Sequence, residues 1–206
     1  GHLDFQRQLH LALRRSGLPV AYSKGYHPHP LVKYGPPLPV GVAGTGEVLD
    51  LALTWQEPDW VARLDAAFPP GLAAVRGLTV GSVSPPSIEA RAERFDFMVR
   101  IPTVADGGPA PDAVRGAIAE FLAADRWPWT RRRPGKADKT VDARGLVPPG
   151  GLVLAAETAA DDPGCVLHLS LVRDARGASL PVHEFLAALL GERLPEPRWC
   201  AVVRTG

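Results

Sequence analysis

The first hydrophobic pattern of the chain predicts an amphipathic helix over residues 3–16. Apolar side chains recur at steps of three and four, at Leu3 or Phe5, Leu9, Ala12 and Leu13. Basic side chains share the other face, at Arg7, His10, Arg14 and Arg15. Gly17 is a typical helix end, and Pro19 prevents continuation. The pattern therefore predicts a helix with an apolar core face and a basic outer face.

Extended segments and one short helix are predicted in the rest of the first half. A strand begins at residues 20–22, and residues 23–26 turn out of it. The second extended segment, residues 31–34, precedes a loop rich in Pro and Gly at residues 35–46. Later elements are a strand at 47–53, a helix at 57–68 and a strand within 72–83.

The second half alternates between strands and helices. Its predicted strands lie at residues 95–101, 127–133, 140–146, 152–156, 165–172 and 198–204. Its predicted helices lie at residues 111–124 and 182–190. Residues 84–87 have the composition of a linker.

The order of elements predicts an α+β protein of two tandem ferredoxin-like halves. From residue 95 the order is that of a split βαβ unit. The first half has the same order without its opening strand, so it needs a strand from upstream residues or has one exposed sheet edge. We expect an N-terminal half at residues 1–84, a linker at 85–94 and a C-terminal half at 95–206.

Composition is that of a globular protein, with 46% apolar and 22% charged residues among 206. The net charge of +1 means that a nucleic-acid site must come from local clustering of cations.

Cys165 and Cys200 are too few for a disulfide framework and are expected to be buried free thiols. No apolar run approaches the length of a membrane span. A cytoplasmic location with no membrane partner is expected.

The first cluster of candidate binding residues follows the opening helix. Arg14, Arg15 and Lys24 can hold phosphates, while Tyr26, His27 and His29 offer stacking surfaces and hydrogen bonds to bases. The alternative interpretation is a solvated helix face followed by a loop that Pro28 and Pro30 stiffen.

A metal or acid–base site in the same region is the weaker hypothesis. His27 and His29 point to opposite sides of an extended chain, so one metal cannot readily use both. His2 and Asp4 could join one of these histidines at the start of the helix. The spacing matches no ligand motif, so neither a metal nor a cofactor is predicted.

The second cluster spans residues 126–144. Its seven cations are Arg126, Arg131, Arg132, Arg133, Lys136, Lys139 and Arg144, against Asp138 and Asp142. Trp127 and Trp129 stand among them, as expected of a surface that binds a nucleic-acid backbone and stacks bases. The alternative is a solvated hairpin whose tryptophans belong to the core, with an ion pair between Asp142 and Arg144.

Motifs of autonomous enzymes are absent from the sequence. It contains no Gly-rich phosphate loop, Ser/His/Asp elbow or zincin helix. Two distant cysteines cannot hold the iron–sulfur cluster of a radical SAM enzyme. Catalysis by this chain alone is therefore the weaker hypothesis.

Several motifs resemble the radical SAM-linked family of bacterial proteins of unknown function. The segments that carry the resemblance are GHLD at 1–4, ALRRSGLPV at 12–20, YSKGYHPHP at 22–30 and PLPVGV at 37–42. Glu47, Leu49 and Asp50 fit a later Glu-x-Leu-Asp strand, and Lys139, Val141, Asp142 and Arg144 fit a K-x-V-D-x-R segment. The matched motif residues include His2, Asp4, Ser23, Gly25, Pro28, Pro30 and Asp142. Gly1 and His27 depart from the family, which usually has Ser and Asn at those positions.

The resemblance implies a partner domain for a radical SAM protein, acting on RNA such as tRNA or rRNA. With the two basic clusters it favours a non-catalytic substrate-binding module. Two alternatives stay open. One is a metal-dependent or RNA-processing enzyme with a site around His2, Asp4, Ser23, Lys24, His27 and His29. The other is an adaptor that docks the radical SAM protein through residues 35–46.

Overall fold

The computed structural model describes residues 1–81, 88–102, 104–132, 135, 137–155, 165–174, 177, 179–191 and 200–206. Its helices are α1 (His2–Ser16), α2 (Trp60–Ala67), α3 (Ile88–Arg91), α4 (Pro111–Ala123) and α5 (Val182–Leu190). Strands β1 to β4 are Val32–Tyr34, Val42–Gly44, Leu49–Leu51 and Arg94–Ile101. Strands β5 to β9 are Pro128–Arg131, Lys139–Asp142, Leu152–Leu154, Cys165–Val172 and Ala201–Arg204. The protein is thus of mixed α+β architecture.

The chain forms two compact units. Unit 1 contains residues 1–40 and 48–92, and unit 2 contains residues 41–47 and 93–206. The chain therefore enters unit 2 at residue 41, returns to unit 1 at residue 48 and passes to unit 2 again at residue 93.

The core of unit 1 forms around the apolar stripe of α1. Leu9, Ala12 and Leu13 are buried as predicted, and Leu64 of α2 packs in the same cluster. Leu3 is 67% exposed, so the stripe begins later than its first candidate position. Gly17 has φ of 62° and ends the helix in the left-handed conformation, which confirms the predicted end.

A small antiparallel sheet lies under this helix. β1 pairs with β3 through Val32 and Leu51, and isolated bridges join Val20 to Leu53 and Tyr22 to Pro30. The bridge at Tyr22 closes a hairpin whose loop contains the predicted binding residues.

The strand predicted within residues 72–83 does not form over residues 72–81, so this prediction is wrong for that part. The segment packs on α2 instead of on another strand. The carboxylate of Asp65 accepts the backbone N–H of Ala74 at 2.8 Å, and a side chain at Gly77 would overlap the ring of Trp60. Residues 82 and 83 lie outside the described part of the chain.

Unit 2 contains a five-stranded sheet in the order β2-β9-β4-β8-β7. The β2–β9 pair is parallel and the other pairs are antiparallel. Alternate residues of β4 and β8 are buried, as expected for a strand with one face against a core. The aromatic rings of Phe121 in α4 and Phe185 in α5 lie 5.5 Å apart and are fully buried.

Strand β2 comes from the stretch that the sequence predicted to be a loop, residues 35–46. Val42 pairs with Val202 of β9, and the backbone N–H of Thr45 donates to the carbonyl of Arg204 at 2.9 Å. The Arg204 side chain is buried and donates through Nε to Glu47 Oε1 at 2.7 Å, with a second bond from Nη2 to Oε2. A bidentate ion pair thus fixes this segment to the sheet.

A separate hairpin of β5 and β6 follows α4. The predicted strand over residues 140–146 ends at Asp142, and Arg144–Leu146 forms a 3-10 turn. The Asp142 carboxylate accepts the backbone N–H groups of Trp127 and Arg144 at 2.8 and 3.1 Å. That bonding turns the chain out of the strand.

Three further predictions concern the cysteines, the linker and membrane-spanning helices. Cys165 and Cys200 form no disulfide; Cys200 is buried as expected, whereas Cys165 is only partly buried. Burial raises the pKa of the Cys200 thiol to about 11. Within the predicted linker, residues 85–87 lie outside the described residues and α3 occupies residues 88–91. No helix in the described ranges combines the length and the apolar character needed to cross a membrane.

Candidate functional site

Four exposed residues of the predicted binding set lie on one hairpin loop of unit 1, residues 23–29, which we call the Tyr26 loop. Its two ends are joined by three hydrogen bonds. The Ser23 backbone N–H donates to the His29 carbonyl at 2.9 Å, and the His29 N–H donates to Ser23 Oγ at 3.1 Å. Ser23 Oγ also bonds His29 Nδ1 at 2.9 Å. The loop is therefore closed by its own end residues.

Local sequence explains the shape of this loop. Gly25 has φ of 128°, a conformation that residues with a side chain rarely adopt. Pro28 and Pro30 fix their own φ angles and hold His27 and His29 near extended geometry. These residues restrict the loop before any ligand arrives.

Lys24, Tyr26 and His27 point into solvent from the Tyr26 loop. All three are exposed, and the relative exposure of Tyr26 is 102%. No hydrogen bond or ion pair joins them to another described residue. The described contacts therefore give these three side chains no role in folding.

Arg14 and Arg15 lie in the last turn of α1, and both are exposed. Cations at this end of a helix interact favourably with its dipole, typically by 0.3–1 kcal/mol. The last carbonyls are already bonded by Arg63 of α2, whose Nη2 donates to Ser16 O at 2.9 Å and to Gly17 O at 2.7 Å. Arg14 and Arg15 are exposed and form no ion pair with another described residue, so they are available to an external anion.

His2 and Asp4 lie at the start of α1 and contact other partners. His2 Nε2 bonds Gln6 Nε2 at 2.9 Å, and the His2 ring meets the Tyr34 ring edge-on at 5.5 Å. Asp4 is exposed and pairs with the amino group of Gly1 at 3.0 Å and with Arg7 at 3.7 Å. No hydrogen bond, ion pair or ring contact within the described residues joins His2 or Asp4 to His27 or His29.

Sequence reasoning missed a polar row beneath the first half of α1. His10 Nε2 lies 3.4 Å from the Tyr34 hydroxyl, and burial raises the pKa of Tyr34. His2, Gln6 and His10 recur every four residues, which is the signal that could have revealed this row. In the part of the chain that the structure describes, no group of three or more His, Cys, Asp or Glu side chains is arranged to hold a metal ion.

In the hairpin of unit 2, Arg131 forms an ion pair within the protein. Arg131 has only 14% of its side chain exposed, and its guanidinium contacts the carboxylate of Glu184 on α5 through two atoms. The distances are 2.6 Å from Nε to Oε2 and 2.9 Å from Nη2 to Oε1. Glu184 lies 53 residues away in sequence and was not recognised as its partner.

Trp127 and Arg144 also have internal partners. The Trp127 ring packs 5.4 Å from the ring of Phe121, and its Nε1 donates to the Ala188 carbonyl at 2.8 Å. Arg144 lies over the Phe121 ring at 5.8 Å and donates to the Val147 carbonyl at 3.2 Å. These contacts agree with the alternative interpretation, in which the tryptophan belongs to the core.

The outer cations of the hairpin are exposed. Arg132 has 84% of its side chain exposed and lies 3.8 Å from Asp138, and Lys139 is exposed at the start of β6. Arg133 and Lys136 lie outside the described residues. The hairpin therefore offers fewer available cations than its composition suggests.

Comparison with known proteins places the chain in a family. No curated protein and no solved structure matches it. Residues 1–169 match the family described as an uncharacterized protein conserved in bacteria, DUF2344. This match includes all of unit 1, the Tyr26 loop and most of unit 2. The chain therefore belongs to the DUF2344 family of uncharacterized proteins conserved in bacteria.

Proposed function

We propose that this protein is a non-catalytic RNA-binding module whose contact surface is the Tyr26 loop together with the end of α1. The observation that carries the proposal is the closed loop itself, which holds Lys24, Tyr26 and His27 in solvent without a described internal partner. A cation beside an exposed aromatic ring is the combination that binds a phosphate backbone and a base together.

Distance along the chain supports a shared surface. Ser23 follows Gly17 by six residues, so an extended chain keeps the start of the loop within about 20 Å of the end of α1. Arg14 and Arg15 lie in that last turn. Two or three cations within this range can contact the phosphates of one short RNA segment.

The hairpin of unit 2 has a smaller part in this proposal. Arg131 and Arg144 have internal partners, so they are assigned to stability. Arg132 and Lys139 can add weak, salt-sensitive contacts to the backbone of a longer RNA.

A radical SAM enzyme is the proposed partner in a modification reaction, and a cytoplasmic location follows from that role. This part rests on the motif resemblance at residues 1–4, 12–20, 22–30 and 37–42. The protein would hold the RNA while the partner supplies the chemistry. Retention of the partner from lysate by the tagged protein, checked by mass spectrometry, tests this part.

Ferredoxin-like topology is the proposed description of both units. In unit 2 the antiparallel order β9-β4-β8-β7, with α4 after β4 and α5 after β8, supports it. In unit 1 the order α1, β1, β3, α2 supports a shorter version of the same arrangement. The fold by itself identifies no ligand.

Salt dependence of RNA binding tests the proposed function. Fluorescence anisotropy would give Kd for a labelled RNA oligonucleotide over a series of salt concentrations. Each lost phosphate contact should lower the slope of log affinity against log salt by about 0.7 for a single strand. Combined substitution of Arg14→Gln, Arg15→Gln and Lys24→Gln should therefore lower it by about 2.

A matched control removes the same charge from unit 2. Arg126→Gln, Arg132→Gln and Lys139→Gln together also remove three exposed cations. This variant should change the slope for a short RNA by less than about 0.7. The assignment of the site would be contradicted if the affinity did not depend on salt concentration. It would also be contradicted if the two triple variants changed the salt slope equally.

A further inference from the structure

We infer that the Tyr26 loop binds RNA where the strand is single-stranded, through stacking of an unpaired base on the Tyr26 ring. This inference rests on the proposed function and adds the class of substrate. The observation behind it is the position of one aromatic ring, which is fully exposed at the turn of a closed loop.

The backbone on either side of the ring is restricted before binding. Ser23 and His29 close the loop, and Tyr26 lies at its centre, three residues from each. A tyrosine side chain has only two rotatable angles, so fixing it on a ligand costs little conformational entropy. A restricted backbone lowers that cost further, because less of the loop has to be ordered on binding.

An aromatic ring that stacks on a base contacts the face of the base rather than its edge. In a duplex the two faces of each base are covered by neighbouring base pairs. The major groove of A-form RNA is also too narrow and deep for side chains to read. Only loops, bulges and free ends present an open face on which an aromatic side chain can stack. Tyr26 therefore favours unpaired RNA.

The neighbours of Tyr26 fit the same substrate. Lys24 lies two residues before it and His27 directly after it, and both are exposed. An ammonium group suits a backbone phosphate, and an imidazole can bond a phosphate or the edge of the stacked base. No carboxylate lies within residues 23–29 to repel a phosphate. The loop thus offers one stacking surface with phosphate-binding groups beside it.

The experiment uses the full chain and three labelled RNAs that contain the same target sequence. The target is a free single strand in the first, the loop of a stem–loop in the second, and one strand of a blunt duplex in the third. Anisotropy should give similar Kd values for the first two and a Kd at least about tenfold higher for the duplex.

Substitutions of Tyr26 separate stacking from charge. Tyr26→Ala should weaken binding of the single strand about 5- to 150-fold, the range for loss of one base–aromatic stack. Tyr26→Phe keeps the ring and should stay within about threefold of the natural protein. The alanine variant should change duplex binding by less than about threefold, because that binding uses the cations.

The outcomes distinguish the inference from the function on which it rests. Equal affinity for duplex and single strand, or a Tyr26→Ala variant that binds the single strand normally, would overturn the stacking inference and leave RNA binding intact. Absence of salt-sensitive binding to all three RNAs would overturn both.

Discussion

The Tyr26 loop and the hairpin at residues 126–144 look similar in sequence, because each combines cations with aromatic residues. Their side chains are used differently. On the Tyr26 loop, Lys24 and Tyr26 are exposed and have no partner among the described residues. In the hairpin, Arg131 pairs with Glu184 and Trp127 packs on Phe121. The Tyr26 loop therefore exposes its cation and aromatic ring to solvent. The hairpin instead uses Arg131 and Trp127 for contacts within unit 2.

The difference shows why counting charges overestimates binding surfaces. A cation that the fold has already paired with a partly buried carboxylate is less available to a ligand. The partner of Arg131 is 53 residues away, so the local sequence does not show it. The Tyr26 loop is closed by residues only six positions apart, and its exposed character follows from local sequence.

The largest expected difference is in the free energy of unfolding, between substitution of Trp127 and substitution of Tyr26. Trp127→Ala removes a ring packed on Phe121 and the hydrogen bond to Ala188, so we expect a loss of about 3 kcal/mol in the free energy of unfolding. Tyr26→Ala should change it by less than about 0.5 kcal/mol, because the ring is fully exposed. Urea unfolding followed by circular dichroism measures both. A comparable loss in Tyr26→Ala would make the loop a folding element and remove the contrast.

The second effect compares two neighbouring arginines. Arg131→Ala leaves Glu184 partly buried without its cation, which should cost about 2 kcal/mol of stability. Arg132→Ala removes an exposed side chain and should cost less than about 0.5 kcal/mol. The single variant Glu184→Ala and the double variant Arg131→Ala with Glu184→Ala complete a thermodynamic cycle for the pair. A coupling energy near zero would show that the ion pair does not stabilise unit 2.

The third effect concerns closure of the Tyr26 loop. Ser23→Ala removes the hydroxyl that bonds both the N–H and the ring of His29, so the loop should become less ordered. We expect about a two- to tenfold loss of affinity for single-stranded RNA, equivalent to one hydrogen bond. Thr130→Val is the matched control, since it removes the hydroxyl bond to Thr140 on the exposed face of the hairpin. If both variants bind normally, closure of the loop does not prepare it for the ligand.

The smallest effect depends on pH and on Asp96, a partly exposed carboxylate of β4 in unit 2. Burial alone would raise the pKa of Asp96, but hydrogen bonds from Ser170 and Arg94 outweigh it and hold that pKa below the usual range. Stability from Asp96 is therefore complete above the unfolded pKa of about 3.9 and is lost as pH falls through the lower folded value. The stability difference between the natural protein and Asp96→Asn should shrink as the pH is lowered from 5 towards 2. A difference that stays constant over this interval would show that the carboxylate charge is not stabilising.

Sequence predicted the features that depend on near neighbours. The buried stripe of α1, its end at Gly17 and the inward alternation of β4 and β8 all follow from local periodicity or one special residue. Features that depend on distant partners were missed. Residues 42–44 are a strand because β9 lies beside them, and residues 72–81 are not a strand because they pack on α2.

The candidate site shows the same division. Exposure of Lys24, Tyr26 and His27 could be predicted because the Gly and Pro residues around them define a turn. For Arg144, the sequence suggested only one contact within the protein, an ion pair with Asp142. The structure instead places it over Phe121, with its backbone N–H bonded to Asp142. The sequence did not indicate that Phe121 on α4 would meet a residue 23 positions later.

The parallel pairing of β2 with β9 has a consequence for synthesis on the ribosome. Val42 meets Val202, a separation of 202 − 42 = 160 residues, so the edge of the sheet in unit 2 cannot form until β9 has been translated. The elements of unit 1 are complete by residue 92, and they can assemble much earlier while residues 41–47 still lack their partner. A chain divided between residues 92 and 93 would place β2 and β9 on separate polypeptides. During synthesis from the N-terminus, β2 is therefore translated early but can pair with β9 only near the end of translation.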